Sequence, residues 1–200
     1  PSDFARLDSL KQILSTGSPL VTESFNYVYE HVKKDVLLGS ISGGTDIISC
    51  FALSNPTLPV YKGELQCRGL GMDVDVFDNN GKSIRNKKGE LVCRSPFPSM
   101  PISFWNDKSG EKYHNAYFNK FKDTWAHGDF IEINDHGGVV IYGRSDATLN
   151  PGGVRIGTSE IYRVVESFLE VDDSLVIAQE WENDQRIILF LKLREPHIFS

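Results

Sequence analysis

The sequence predicts a mixed α/β and α+β fold of several units: an α/β portion, then an antiparallel sheet or small barrel, then the opening of an α+β unit. Three observations carry this. Residues 12–41 run strand, turn, amphipathic helix, strand, the order of an α/β unit with its loops at strand ends. Residues 58–145 hold several short apolar runs separated by Asn80-Gly81, Lys88-Gly89 and Gly137-Gly138 turns, the order of antiparallel hairpins. Beyond residue 146 one apolar helical stripe precedes two apolar strands.

Taken in order, residue 3 onward opens as a helix, with Ser2 or Asp3 as cap and Phe4, Leu7 and Leu10 on one face. Gln12 to Thr16 reads as a short buried strand entering the Gly17-Ser18-Pro19 turn. Thr22 caps a second helix, with Phe25, Val28, Tyr29 and Val32 at helical spacing. Val36 to Ile41 is an apolar strand, broken by Ser42-Gly43-Gly44-Thr45-Asp46. Asp73 to Phe77 alternates up to the Asn79–Lys82 turn, and Lys87-Lys88-Gly89 turns into Glu90–Cys93. Asp129 to Asn134 and Val139 to Tyr142 flank the Asp135–Gly138 turn. Ser159 caps a helix striped by Ile161, Val164, Val165, Phe168 and Leu169, ahead of strands at Leu175–Ala178 and Ile187–Leu193. About 50 residues is a thin basis for an independent core, so this last part is expected to be incomplete alone. Both ends read as cut from a longer chain.

Composition narrows the function. Of the 200 residues 40% are hydrophobic and 11% aromatic, enough for real cores rather than disorder. The chain has 27 acidic against 21 basic residues, a net charge of −6, and no basic stripe, which argues against nucleic acid as a partner. No apolar run approaches the ~20 residues of a membrane span and no signal-like segment opens the chain, so a cytoplasmic protein is expected. Cys50, Cys67 and Cys93 are widely spaced and sit in apolar runs, which favours reduced, buried thiols. His31, His114, His136 and His197 show no metal-ligand spacing.

The chemistry concentrates in two glycine-rich clusters one hairpin apart. Trp125-Ala126-His127-Gly128-Asp129 is the first; Gly143-Arg144-Ser145-Asp146, continued by Asn150-Pro151-Gly152-Gly153-Val154-Arg155-Ile156-Gly157, is the second. Carboxylates and guanidinium groups on glycine-flexible turns suit a nucleotide sugar and its phosphates. Thr45 and Asp46 follow two glycines at a strand end and offer hard oxygens to a phosphate and to Mg²⁺; a helix-capping Asp is the plainer reading of that tetrapeptide. A lone Asp129, Arg144 or Arg155 also fits a surface ion pair. No Gly-rich phosphate loop ending in Lys-Ser/Thr accompanies these clusters, so they read as part of a nucleotide-using enzyme.

Gly17-Ser18-Pro19, Gly44-Thr45-Asp46, Gly63-Glu64-Leu65, Gly89-Glu90-Leu91, Gly128-Asp129 and Gly143-Arg144-x-Asp146, in this order, resemble the later core motifs of the adenylate-forming acyl-CoA synthetase family. Ser42 to Ile47, Asn55 to Val60, Trp125 to Asp129, Thr148-Leu149-Asn150-Pro151 and Ser159-Glu160-Ile161-Tyr162 resemble its acetoacetate-activating branch. The resemblance covers essentially the whole chain. It implies activation of a carboxylate by ATP and Mg²⁺ to an acyl-adenylate with loss of pyrophosphate, then attack by coenzyme A to leave a thioester and AMP. It divides the chain into the end of the main adenylation domain (1–57), a β-barrel subdomain ending at a hinge (58–146) and the beginning of a small mobile C-terminal domain (147–200). The family's phosphate loop and its C-terminal catalytic lysine have no counterpart here. The chain therefore depends on the rest of its own polypeptide and is expected to be inactive in isolation.

The same resemblance assigns residues. Gly17, Ser18 and Pro19 become the adenine-contacting turn, Asp129 the ribose acceptor and Arg144 the ribose and phosphate contact. Thr45 becomes a phosphate contact and Asp46 the metal ligand, with a shorter arm than the Glu the family usually carries. Arg155 is the arginine that swings toward the phosphates, Asp146 the hinge, and Gly152 and Gly153 the loop beside the pantetheine tunnel. Gly43 stands where acetyl-activating relatives have Trp, which implies room for a longer acid such as acetoacetate. Two other readings accompany this one: a non-catalytic AMP-binding or scaffolding module, and an adenylating enzyme with a different acceptor.

Overall fold

The computed structural model describes residues 7–145, 149, 156–181 and 184–196. Strand β1 (Gln12–Ser15) pairs in parallel with β2 (Leu37–Ser40), and helix α1 (Thr22–Tyr27) makes the crossover between them. This is the expected α/β unit. β1 is not the buried strand expected, because it lies at a sheet edge: Leu14 is 52% exposed. Residues 7–10 form a turn rather than a helix. Lys33 explains this, since its ammonium takes the carbonyls of Leu7 and Leu10 at 2.6 and 2.9 Å, acceptors that a helix would direct along its own axis.

Val21, not Thr22, is the N-cap of α1, and no side chain caps it. A π-helical turn, Val28–Val32, follows. Its extra residue per turn rotates the end of the apolar stripe off the packed face, so Phe25 is buried while Val32 is exposed.

The next strands, β3 (Ser42–Gly44), β4 (Ser49–Leu53) and β5 (Cys67–Arg68), form an antiparallel sheet in that order. The second antiparallel sheet is β6 (Val74–Phe77), β7 (Gly89–Cys93), β8 (Trp125–Ile133) and β9 (Val139–Arg144), each paired to the next. A bridge between Leu65 and Val139 joins the chain just before β5 to the β9 edge. Between the sheets lies one apolar cluster, with Phe51 from β4, Val74 and Val76 from β6, Leu91 from β7, and Trp125 and Ile131 from β8. All six are at most 1% exposed. Cys93 is buried, Cys50 and Cys67 are half-buried, and all three are free thiols.

Helix α2 (Glu111–Tyr117) was not foreseen. It lacks an aliphatic stripe and packs aromatic rings instead. Tyr117 stacks on Trp125 at 3.6 Å, and Tyr113 and Phe118 meet the same indole edge-on or tilted at 6.3 and 5.9 Å. Asp107 anchors its start by accepting the Tyr113 N–H at 2.9 Å.

Helix α3 (Thr158–Val165) has Gly157 as its N-cap, so Ser159 lies inside the first turn rather than at the cap. Glu160 takes the Gly157 N–H at 3.4 Å, and Tyr162 Oη accepts the Val176 N–H at 3.0 Å, tying the helix to β10 (Val171–Trp181). β10 and β11 (Asp184–Leu193) form a hairpin longer than the two short strands expected. Of the expected stripe only Val165 is buried; Val164, Phe168 and Leu169 are exposed. Among the described residues no helix is long and apolar enough to cross a membrane.

The most deeply buried carboxylate of the four-stranded sheet is that of Asp75. Asp75 on β6 is 1% exposed and accepts from Arg85 Nη1 at 2.5 Å, Ser83 Oγ at 3.0 Å and the Val76 N–H at 2.8 Å. Burial pushes its carboxyl upward, but these donors outweigh burial and hold it below the usual carboxylate range. A depressed folded value stabilises above the unfolded pKa of about 4, and that stability is lost as pH falls through the folded one. Asp75→Asn in the full-length protein is expected to lower stability at pH 7 by about 2 kcal/mol. The gap to wild type should narrow below about pH 4, read as the pH dependence of the denaturation midpoint.

Candidate active site

The β8–β9 hairpin builds the centre of the site. Counting back from its Asp135–Gly138 turn, Ile133, Glu132 and Ile131 pair with Val139, Val140 and Ile141. The register then slips by one, and Asp129 comes to face Arg144. Gly128 and Gly143, with φ of +83° and +103°, directly precede these two residues, and L side chains rarely adopt that conformation. β8 also slips against β7 between the Val92–Ala126 and Glu90–Phe130 pairs. Bulges re-aim side chains, and here they bring a carboxylate and a guanidinium together: Arg144 Nη1 lies 3.5 Å from Asp129 Oδ1 and 3.2 Å from the His127 carbonyl.

These residues open onto a cavity of about 1180 Å³ between the α/β unit, the β3–β4 hairpin and the β8–β9 hairpin. Gly17, Ser18, Pro19, Gly43, Thr45, Asp46, Asp129 and Arg144 all line it, although they come from three separate stretches of chain. Each candidate within the described residues thus borders one space. Asp146, Gly152, Gly153 and Arg155 lie outside the described residues.

Gly43 belongs to strand β3 and also lines the cavity. A Cβ there would stand 2.0 Å from the Ser49 carbonyl oxygen and 2.9 Å from Cys50 Cα, both backbone atoms of β4. Close approach of two strands is therefore the first reason for glycine at this position. Thr45 and Asp46 occupy the turn after β3 rather than a helix start, so the capping reading of Asp46 falls. Tyr117 donates its hydroxyl to Asp46 Oδ2 at 2.6 Å. Burial, then this acceptor, pushes the Tyr117 phenol far above its ordinary value, so it stays a donor throughout the neutral range.

Glu90, Tyr117, Lys120 and His127 also line the cavity and were given no role from the sequence. His127 is buried. Its Nδ1 accepts from Trp125 Nε1 at 3.4 Å, its ring meets Phe51 at 4.7 Å, and its Nε2 faces Asp129 Oδ2 at 3.9 Å. Glu90 and Lys120 pair at 2.6 Å. The Gly89-Glu90-Leu91 and Trp125–Asp129 strings contained Glu90 and His127, but Tyr117 and Lys120 reach the cavity through α2 and the turn after it.

Two outcomes follow for the full-length protein. Gly43→Ala should lower stability by about 1–3 kcal/mol through the clash with β4, read as a drop in Tm. Tyr117→Phe should leave the fold within about 1 kcal/mol of wild type, read as Tm, because the ring keeps its stack on Trp125 and only the hydroxyl donor to Asp46 is lost.

No protein-family model matches the chain. The acetoacetyl-coenzyme A synthetase of Rhizobium meliloti is 60% identical over 193 residues, which is 96% of this chain and 30% of that protein. That of Gallus gallus is 56% identical over 202 residues, covering all of this chain and again 30% of the relative. Among solved structures, the acetoacetyl-CoA synthetase from Streptomyces lividans superposes with a TM-score of 0.84 at 42% identity, over 97% of this chain and 30% of that one. An anthranilate CoA ligase, with a TM-score of 0.75 at 21% identity over 97% of this chain and 36% of its own, shares the fold. The chain spans about 30% of the length of the curated relatives it matches. In sequence and in fold the chain is similar to the C-terminal part of acetoacetyl-CoA synthetases.

Proposed function

We propose that the chain forms part of an AMP-forming acid–thiol ligase that activates acetoacetate with ATP and passes the acyl group to coenzyme A. The products are acetoacetyl-CoA, AMP and pyrophosphate. The observation that carries this is the single cavity on which the turn at Gly17–Pro19, the Thr45-Asp46 pair and the in-register Asp129–Arg144 pair converge. In this reading the turn contacts adenine. Asp129, an acceptor-only group with two oxygens, takes the ribose hydroxyls, and Arg144 meets ribose and phosphate. Thr45 contacts the α-phosphate. Arg155 brings a second guanidinium to the phosphates as the C-terminal part moves about Asp146, and Gly152 and Gly153 leave room for the pantetheine arm. Catalysis rests on positioning and on neutralising phosphate charge.

A metal fits this donor set. Among the described residues no three His, Cys, Asp or Glu side chains converge as a dedicated cage. Mg²⁺ is commonly held by one or two carboxylates together with waters and substrate phosphates, which is what Asp46 beside Thr45 can offer. The ion would supply charge neutralisation at the phosphates. The three-stranded and four-stranded sheets, bridged at Leu65 and Val139, would be the walls of the barrel subdomain, with domain limits near 57 and 146 and the site in the cytoplasm.

Acetoacetate-dependent ATP–pyrophosphate exchange by the full-length protein tests the reading. Exchange with acetoacetate in preference to acetate is expected, and none by residues 1–200 alone. Exchange with no short acid would turn the reading toward a non-catalytic AMP-binding module. Arg155→Leu should depress exchange about 100-fold or more with little change in Tm, since one charge-stabilising donor is typically worth that much. Wild-type exchange in that variant would take Arg155 out of the site.

A further inference from the structure

The proposed roles of Asp129 and Arg144 leave a question of support: both sit where the strand ladder is interrupted, and a bulged backbone needs another anchor. Glu90 provides one. It lies on β7, is 3% exposed, and directs Oε1 at two donors, the Gly128 N–H at 3.1 Å and Ser145 Oγ at 2.8 Å. Gly128 immediately precedes Asp129, and Ser145 immediately follows Arg144. The Ser145 N–H in turn donates to the Gly128 carbonyl at 2.7 Å. One carboxylate oxygen thus holds β8 at its bulge and the chain just past the end of β9. Its Oε2 takes Lys120 Nζ at 2.6 Å, so the buried charge is compensated.

We propose that Glu90 is a positioning residue for nucleotide binding, acting through the bulged Gly128–Asp129 backbone and Ser145 rather than by touching the nucleotide. The inference rests on the nucleotide reading of Asp129. A carboxylate suits the task because one oxygen can accept from a backbone N–H and a hydroxyl together while the other meets a cation. It also suits a site that binds an anion. Lys120 neutralises Glu90, so the anchor does not oppose the phosphates that the cavity would hold. Lys120 is thereby held on the cavity wall by the same contact.

AMP binding by the full-length protein, followed calorimetrically, tests this without depending on the acyl substrate. Asp129→Ala is expected to weaken AMP at least about tenfold, and Glu90→Ala by about tenfold. Glu90→Gln keeps Oε1 as acceptor and should recover affinity to within about threefold of wild type. The deciding variant is the double one. If Glu90 acts through Asp129, Glu90→Ala should add less than about twofold in the Asp129→Ala background. Full additivity, or wild-type affinity in Glu90→Ala, would overturn the proposal. Should Glu90→Ala fail to fold, Ser145→Ala carries the same test: a loss of about threefold that disappears in the Asp129→Ala background supports the anchor, and an additive loss sinks it. Unchanged AMP affinity in Asp129→Ala would instead bring down the nucleotide reading, and this inference with it.

Discussion

The site depends on a break in strand pairing. β8 cannot pair evenly with both neighbours, because it carries extra residues against β7 between Ala126 and Phe130, while β9 carries one extra against it at Tyr142. At those slips the backbone gives up ladder hydrogen bonds, which must be replaced from elsewhere. Gly128 and Gly143 supply the left-handed turns, Glu90 accepts the Gly128 N–H, the Ser145 N–H donates to the Gly128 carbonyl and Arg144 donates to the His127 carbonyl. What the sheet loses in regularity appears as a paired carboxylate and guanidinium facing a cavity. Residues on either side of the break, Trp125 and Ile131, remain locked in the core, so the irregular segment is short and held at both ends.

Aromatic packing fixes the opposite wall. Trp125 is 1% exposed and lies under Tyr117, with Phe97, Tyr113, Phe118 and His127 around it. Because α2 is anchored by rings instead of an aliphatic stripe, its last residue presents a hydroxyl to the cavity at the point where Asp46 turns away from β3. Trp125 therefore acts as core and as site support together. A core ring stacked on a cavity-lining one explains how a rigid sheet can hold a turn in place.

Charge is arranged in pairs along the four-stranded sheet. Each acid of the sheet that is nearly buried meets a base on its own side of the fold: Asp75 with Arg85, Glu90 with Lys120 and Asp129 with Arg144. Local partners, and not the net charge of the chain, thus set the field in the cavity.

The amino-acid sequence by itself determined the parallel β1–α1–β2 unit, the hairpin turns and the residues of the cavity at Gly17–Pro19, Thr45-Asp46, Asp129 and Arg144. The unit and the turns rest on local rules of turn residues and alternation, while the cavity residues came from glycine-rich clusters together with the resemblance to the adenylate-forming acyl-CoA synthetases. Other features depended on partners distant in the chain. Lys33 turned a helical pattern at residues 7–10 into a capped turn, and β4 decided what Gly43 is for. α2 formed on Trp125, a contact that its own composition did not announce. Glu90 and Lys120 lie thirty residues apart and became one unit only when β7 and the chain entering β8 were laid side by side. A strand register slip is a property of two strands at once. The glycines could be read from the chain, but the pairing of Asp129 with Arg144, and the carboxylate that anchors it, belong to the tertiary structure.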